Sequence, residues 1–439
     1  MYRFYESYKG PTLRLLGKIV RSDWIFLIPF LLISLKVRMG YVLFLASGRG
    51  FPQSDDSKWY LQYAYSLIEG KPIGLHMNDI MYMGYNLLLT LLLAVFKSTT
   101  TVIFIQAAVA GLSVFFVYRI AAMLFNKTTA VIASYLYCYH SWGITLWSSY
   151  ILADSFFISL LLLCVYLLLK SRETGKTSHR IAFAASAFYL ALFKPTGLVA
   201  VAFIALCIAI GLRGATIAQF VRKRWLPLSV GAAAAASLCA YVLLSGKLEP
   251  LFASLQFNAK MVLYNIYAKG WIYDSPSPFD HPFKPNYDID VMNSLIASFM
   301  INNWDHISVL YMKRAAAFLG RWVMQTDLST VQGVAKFGEN MLPTALFVLG
   351  FVAAMWNGLL RKTAVVWLLV LAVLLFCVVF FIDGMYRYKA PAVPFIIIGV
   401  AYGAERVVRC VLLAAKYAAI QLRMLRRGSE PSYRAVEER

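Results

Sequence analysis

The chain is 439 residues long, 60% of them hydrophobic and only 14% charged, with a mean hydropathy of +0.66. So apolar a composition excludes an ordinary soluble domain and marks a polytopic membrane protein. The formal charge of +21 is gathered in short turns and at the two ends, which reads as a topology signal and argues against nucleic-acid binding.

Eleven apolar runs follow in order, roughly at 24 to 46, 84 to 96, 101 to 123, 129 to 148, 151 to 169, 181 to 193, 196 to 212, 225 to 245, 341 to 358, 364 to 382 and 391 to 412. The first is too long for a signal peptide, contains Lys36 and Arg38, and lacks a small-x-small cleavage site, so it reads as an uncleaved anchor. Arg3, Lys9, Arg14, Lys18 and Arg21 precede it; Arg406, Arg409, Lys416, Arg423, Arg426, Arg427, Arg434 and Arg439 close the chain. The positive-inside rule places both ends in the cytoplasm, so the number of spans is even.

A crossing helix needs about 20 residues, and the 84 to 96 run is short. If all eleven runs crossed, the basic turns Lys170/Arg172/Lys176/Arg180, Arg213/Arg222/Lys223/Arg224 and Arg361/Lys362 would face outward. Reading 84 to 96 as a short helix in the outer interface returns them all to the cytoplasm. The expected fold is an all-α bundle of ten transmembrane helices in the cell membrane, with two extracytoplasmic loops, 47–100 and 246–340, that carry interfacial helices. The expected division is a transmembrane module 1–245 that includes the first loop, the second loop 246–340, C-terminal helices 341–415, and a basic tail 416–439. Lys416 to Arg427 alternates apolar and basic residues, as an amphipathic helix on anionic lipid does. Cys138, Cys164, Cys207, Cys239, Cys377 and Cys410 all fall within predicted helices, with no metal or disulfide spacing. The chain carries no Walker, Rossmann or zincin motif and no internal repeat.

Most acidic residues fall in the two long loops, so function is sought on the outer face. Just past the first run stands Asp55-Asp56-Ser57-Lys58-Trp59-Tyr60, and Trp59, Tyr60, Tyr63 and Leu67 then recur at helical spacing. An interfacial helix capped by Ser57 or Asp56 is expected there, and the plain alternative is that Asp55 and Asp56 are nothing more than N-cap residues. Asp79 precedes the Tyr82-Met83-Gly84-Tyr85 turn, and Asp154 opens the run after Tyr150. A helix N-terminus favours such a charge by itself, yet three segments bring acids to one rim. Lys194, in a turn between two runs, and Arg387 with Lys389, in another, bring cations to the same rim. They suit a phosphate, although headgroup snorkelling also places such residues there. Together the groups suit a reaction on a lipid-linked phosphate: a carboxylate takes a proton from the acceptor and cations stabilise the departing phosphate.

The order of segments resembles the GT-C glycosyltransferases, most closely the protein O-mannosyltransferases and the aminoarabinose transferases acting on lipid A. The resemblance rests on Asp56 with Tyr60, on Ala64, Leu67 and Gly70, on MGYNLLLTLLLAVF, RIAAMLFNKTTAVIASYLY, LADSFFISLLLLCVYLLL and KPTGLVA, and on YRYKAPAVPFIIIGVAYG. It covers most of the membrane region but not the second loop. It implies Asp56 as the catalytic base, with Asp55 competing for that role, Asp79 and Asp154 as supporting acids, and a substrate pocket with Tyr60, Tyr82 and Tyr85. Some relatives carry a Lys ahead of the Gly-Tyr turn where this chain has Ile80, Met81, Tyr82 and Met83. The phosphate clamp is therefore expected from Arg387, Lys389 and Lys194, with Lys260, Lys269, Lys313, Arg314 or Arg321 of the second loop as further candidates.

The function so implied is transfer of one sugar from a polyprenyl-phosphate donor to an extracytoplasmic glycan, lipid or protein, with inversion. No metal ligand is assigned; a divalent metal, which some enzymes of this class use, is not favoured. The expected partners are the lipid-linked donor, membrane lipids and the acceptor, and no nucleic acid. The rivals are a transporter or flippase of lipid-linked sugar and an O-antigen polymerase or ligase.

Overall fold

The computed structural model describes residues 23–211, 222–246, 248–273, 276–320, 328–380 and 385–428. The N-terminal cations Arg3 to Arg21, together with Arg213, Arg321, Arg434 and Arg439, lie outside the described residues.

Every regular element described is helical. In chain order come α1 (Trp24–Phe44), which runs into a π-type turn (Leu45–Arg49), α2 (Asp55–Ile68), α3 (Met83–Phe96), α4 (Thr99–Leu112), α5 (Val114–Leu124) and α6 (Lys127–Cys138). A π-type turn (Ser141–Thr145) and a 3-10 turn (Leu146–Ser149) lead to α7 (Ala153–Thr174), α8 (Thr177–Phe193), α9 (Pro195–Gly211), α10 (Trp225–Leu244) and α11 (Glu249–Tyr264). The remainder are α12 (Leu295–Asn302), α13 (Trp304–Leu319), α14 (Val331–Trp356), α15 (Leu360–Val379), the short α16 (Met385–Lys389) and α17 (Val393–Gly428).

Five stretches among the described residues are long and apolar enough to cross a membrane: Trp24–Arg49, Thr99–Leu124, Ala153–Thr174, Val331–Trp356 and Leu360–Val379. The chain is thus a membrane-embedded helical protein. The second of these joins α4 and α5 across Ser113, whose hydroxyl reaches the Ala110 carbonyl at 2.7 Å and the Tyr137 hydroxyl at 2.6 Å. A helical Ser bonded back to its own backbone is a common cause of such a break.

Several boundaries differ from the sequence expectation. The 129 to 148 run is not one helix: α6 ends at Cys138, and turns carry the chain to Ala153. Arg38 of α1 explains the stop. Its fully buried guanidinium donates to the Tyr137 carbonyl at 2.9 Å and the Cys138 carbonyl at 3.1 Å, occupying acceptors that an ending helix leaves open. α14 begins at Val331, within the expected loop 246–340, and α17 continues without interruption through Gly428, into the expected tail 416–439. Its 36 residues extend for about 54 Å, well beyond the roughly 30 Å of hydrocarbon. The short 84 to 96 run forms the 14-residue α3, about 21 Å long.

Packing pairs α1 with α4, α5 with α6, α7 with α8, α9 with α15, and α14 with α17, which also crosses α6. The α14–α17 contact depends on Gly350, Gly399 and Gly403: a Cβ on Gly350 would strike the Gly399 carbonyl, and one on Gly403 would strike that of Leu346. Small residues four apart let two membrane helices approach backbone to backbone. A second, smaller core (Leu263, Ile266, Ile272, Tyr273, Phe299, Ile307, Leu310 and Ala317) lies within residues 249–319.

Candidate functional site

The site is assembled where α2, α7, the α8–α9 break and α16 meet. The cap of α2 is Ser54 rather than Ser57 or Asp56: the Ser54 hydroxyl accepts from the Ser57 amide at 3.2 Å, and Ser57 closes a reciprocal capping box. Asp55 and Asp56 thus both fall in the first turn, about 100° apart around the helix, so only one can face the bundle. Asp55 points away, 85% exposed and paired with Lys58 at 3.0 Å. Asp56 turns inward and accepts from Arg387 Nη1 at 2.5 Å.

Asp154 lies in the first turn of α7 and is fully buried. One of its oxygens accepts from Lys194 Nζ at 2.6 Å and the other from Arg387 Nε at 2.8 Å. Lys194 reaches it from the break between α8 and α9, where Pro195 disfavours helical backbone at the preceding residue. Lys194 is accordingly extended, at φ −164° and ψ 162°. Its ammonium lies 5.0 Å from the centroid of the Phe157 ring. The result is a linear chain of alternating charge, Asp56–Arg387–Asp154–Lys194. Side-chain exposure falls along it from 35% at Asp56 through 14% at Arg387 to 0% at Asp154 and 5% at Lys194. Burial works against the Arg387 charge, but Asp154 and Asp56 outweigh it and raise its pKa well above the ordinary arginine value.

Three tyrosines wall this chain. Tyr60 of α2 meets Tyr85 of α3 edge to face, ring centroids 4.9 Å apart, and Tyr82 at 5.3 Å. Burial, and then the Asp56 charge, push the Tyr82 phenol up to about 12; burial, then the neighbouring Tyr82 and Asp56, raise that of Tyr60 well above the ordinary tyrosine value. Both hydroxyls therefore remain proton-bearing donors at neutral pH. α3 approaches closely because Gly84 has no side chain: a Cβ there would lie 2.9 Å from the Phe193 Cα.

The other expected residues lie elsewhere. Asp79 is buried, but its carboxylate accepts from the Gly74 and His76 amides at 2.8 and 3.2 Å, closing its own loop. Lys389 donates to the Phe318 carbonyl on α13. Lys194 is a partner of Asp154 rather than an open cation. Of the second-loop cations, Lys260 is exposed, Lys269 lies 4.0 Å above the Trp271 ring and Lys313 donates to the Phe279 carbonyl at 2.9 Å. Among the described residues no group of three or more His, Cys, Asp or Glu side chains converges on one point.

Arg314, expected as a further clamp candidate, is fully buried and donates instead to the Trp271 carbonyl at 3.0 Å and to the Val378 carbonyl near the end of α15 at 3.2 Å. Other positioning residues escaped the sequence reading. Tyr273 stacks on Tyr386, next to Arg387, at 6.3 Å. With Lys389–Phe318, these links fasten the second loop to the turn that carries Arg387. On the other side Ser254 Oγ accepts from the Asn78 amide at 2.9 Å, and Asn258 donates to the Asn78 side chain at 2.6 Å. Residues 249–319 thus brace both the loop after α2 and the arginine turn. Gln106, buried in α4, donates toward the carbonyls of Trp147, Ser148 and Tyr150 at 3.2, 3.1 and 2.7 Å, fixing the segment that delivers Asp154. A lone Gln within an apolar helix was the available signal.

No protein-family model matches the chain, and no curated protein matches it either.

Proposed function

We propose that the chain is a GT-C-like glycosyltransferase that moves one sugar from a polyprenyl-phosphate donor to an acceptor on the extracytoplasmic side of the cell membrane. The reading includes ten membrane spans with both termini in the cytoplasm. One observation carries it: Asp56, Asp154, Lys194 and Arg387, each singled out in a different segment, meet in one continuous ion-pair chain.

In this reading the acceptor oxygen or nitrogen attacks the anomeric carbon as the bond from that carbon to the phosphate oxygen breaks, and the anomeric centre inverts. The acceptor proton passes to Asp56, the more exposed of the two carboxylates in the ion-pair chain. The electron pair of the broken bond leaves on polyprenyl phosphate. Two carboxylates and two cations sum to zero, so the ion-pair chain is balanced before the donor arrives. The leaving phosphate gains negative charge, and in this reading Arg387, whose Nε and Nη1 are held by carboxylates, stabilises it. Asp154 is too deeply buried to take the acceptor proton and instead aims Arg387.

The test is transfer of radiolabelled sugar from purified polyprenyl-phosphate sugar by the full-length protein in detergent. Release of polyprenyl phosphate matched to labelled acceptor supports the proposal. A transporter would leave the donor intact, and a polymerase would require diphosphate-linked oligosaccharide; either result overturns it.

A further inference from the structure

A phosphate that reaches Arg387 meets a guanidinium already in use. Nε donates to Asp154 at 2.8 Å and Nη1 to Asp56 at 2.5 Å. An arriving phosphate anion therefore competes with two carboxylates for one cation.

The two carboxylates are not equally able to let go. Asp154 is 0% exposed and is shared with Lys194 at 2.6 Å, so its release would leave charge uncompensated where no water reaches it. The Asp56 side chain is 35% exposed, so water can take the place of the guanidinium. It stands in the first turn of α2, where the helix N-terminus favours a negative charge even without a counterion. The cap of α2 is made by Ser54 and Ser57, so moving the Asp56 side chain breaks no capping bond. Arg387, by contrast, is fastened on its far side: Asp154 holds Nε, and Lys389, two residues on, donates to the Phe318 carbonyl. Asp56 is thus the member of the ion-pair chain that yields.

We infer that Asp56 is a displaceable occupant of Arg387: the phosphate monoester of a lipid-linked donor takes its place at Nη1, and the released carboxylate then serves as the base. No covalent bond changes in this exchange. Asp56 keeps its charge and gains water, while Arg387 keeps Asp154 and trades one anion for another. The inference rests on the proposed reaction for the identity of the phosphate, and it adds an order to that reaction: the donor binds before the acceptor gives up its proton. Removing the Asp56 charge removes the competitor, so it should tighten phosphate binding while turnover falls. A carboxylate that merely held the site together would loosen binding when removed.

The experiment is saturation binding of radiolabelled polyprenyl monophosphate, which carries the phosphate but no sugar, to the full-length protein in phosphatidylcholine nanodiscs. Wild type is compared with Asp56→Asn, Asp56→Ser, Asp55→Asn and Arg387→Gln. Both Asp56 variants should bind about tenfold more tightly than wild type, the equivalent of one charge-assisted contact. Asp55→Asn makes the same change of charge one residue away, on the exposed side of the helix, and should leave the affinity unchanged. Arg387→Gln should weaken binding by a similar factor, and millimolar inorganic phosphate, which lacks the polyprenyl chain, should not displace the lipid. Unchanged or weaker binding in both Asp56 variants, equal tightening in Asp55→Asn, wild-type affinity in Arg387→Gln, or displacement by inorganic phosphate would overturn the inference. Sugar transfer is assayed separately: transfer without the tightening overturns the exchange and leaves the reaction standing, whereas tightening without transfer overturns the reaction and leaves the exchange.

Discussion

Replacing Asp154 by Asn keeps the shape of the side chain and removes only its charge. Asp154 is fully buried and is shared by Lys194 and Arg387 at 2.6 and 2.8 Å. Two charge-assisted hydrogen bonds, at about 1.5 to 3 kcal/mol each, bracket the loss at about 3 to 6 kcal/mol. Breaking a buried ion pair by neutralising one partner costs about 3 to 5 kcal/mol, so about 4 kcal/mol is expected. The variant leaves the ion-pair chain with one uncompensated positive charge. Lys194→Met restores neutrality and keeps an apolar contact with Phe157, whose ring already lies against the lysine. Asp154→Asn/Lys194→Met should therefore be less destabilised than the sum of the two single variants by about 0.5 to 3 kcal/mol, the range of coupling between residues in contact. The assay is thermal unfolding followed by tryptophan fluorescence in nanodiscs at one scan rate, since unfolding of such a protein is read as a rate-dependent midpoint. An Asp154→Asn midpoint equal to wild type, or a double variant destabilised by the full sum of the two singles, would refute the shared-counterion reasoning.

Asp56→Asn should reduce sugar transfer roughly 100-fold or more by removing proton acceptance, while Asp55→Asn, on the exposed side of the same helix, should stay close to wild type; assay at matched expression decides, and the reverse pattern would assign the base to Asp55. Arg314→Met should leave residues Met385–Lys389 less ordered, seen as faster amide hydrogen exchange in that turn, and unchanged exchange there would show that the second loop does not brace it. For Tyr82, burial pushes the phenol up to about 12, above the roughly 10 of an exposed tyrosine. A raised pKa means that the folded state holds this proton more tightly than the unfolded state, so the contribution is intact below pH 10 and lost as pH rises toward 12. Stability should fall across that interval less steeply in Tyr82→Phe, which has no proton to lose, and identical slopes would contradict the shift.

Much of the membrane character was legible in the sequence because hydrocarbon imposes a strong rule: a crossing helix must be apolar for about 20 residues, and that pattern needs no knowledge of neighbours. The runs near Trp24, Ala153 and Leu360 became helices for this reason. The Gly399 to Gly403 spacing in GVAYG was also visible, but its use was not, because only the packing of α14 shows which backbone the missing side chains admit. The run from 129 to 148 was misjudged as one helix because its terminator, Arg38, lies a hundred residues away in sequence on another helix.

At the site the sequence supplied the residue types and tertiary structure supplied their partners. The spacing of Asp56 to Tyr60 favours Asp56 over Asp55, but only the structure shows its partner: the cap at Ser54 sets the rotation of α2, and that rotation turns Asp56 toward Arg387. The sequence could group Lys194, Lys389 and Arg387 as cations of one rim, but Asp154 claims two of them and the Phe318 carbonyl takes the third. Apolar length is a property of one segment and is written there, whereas a buried charge is defined by the groups that surround it, and those come together only when the helices pack.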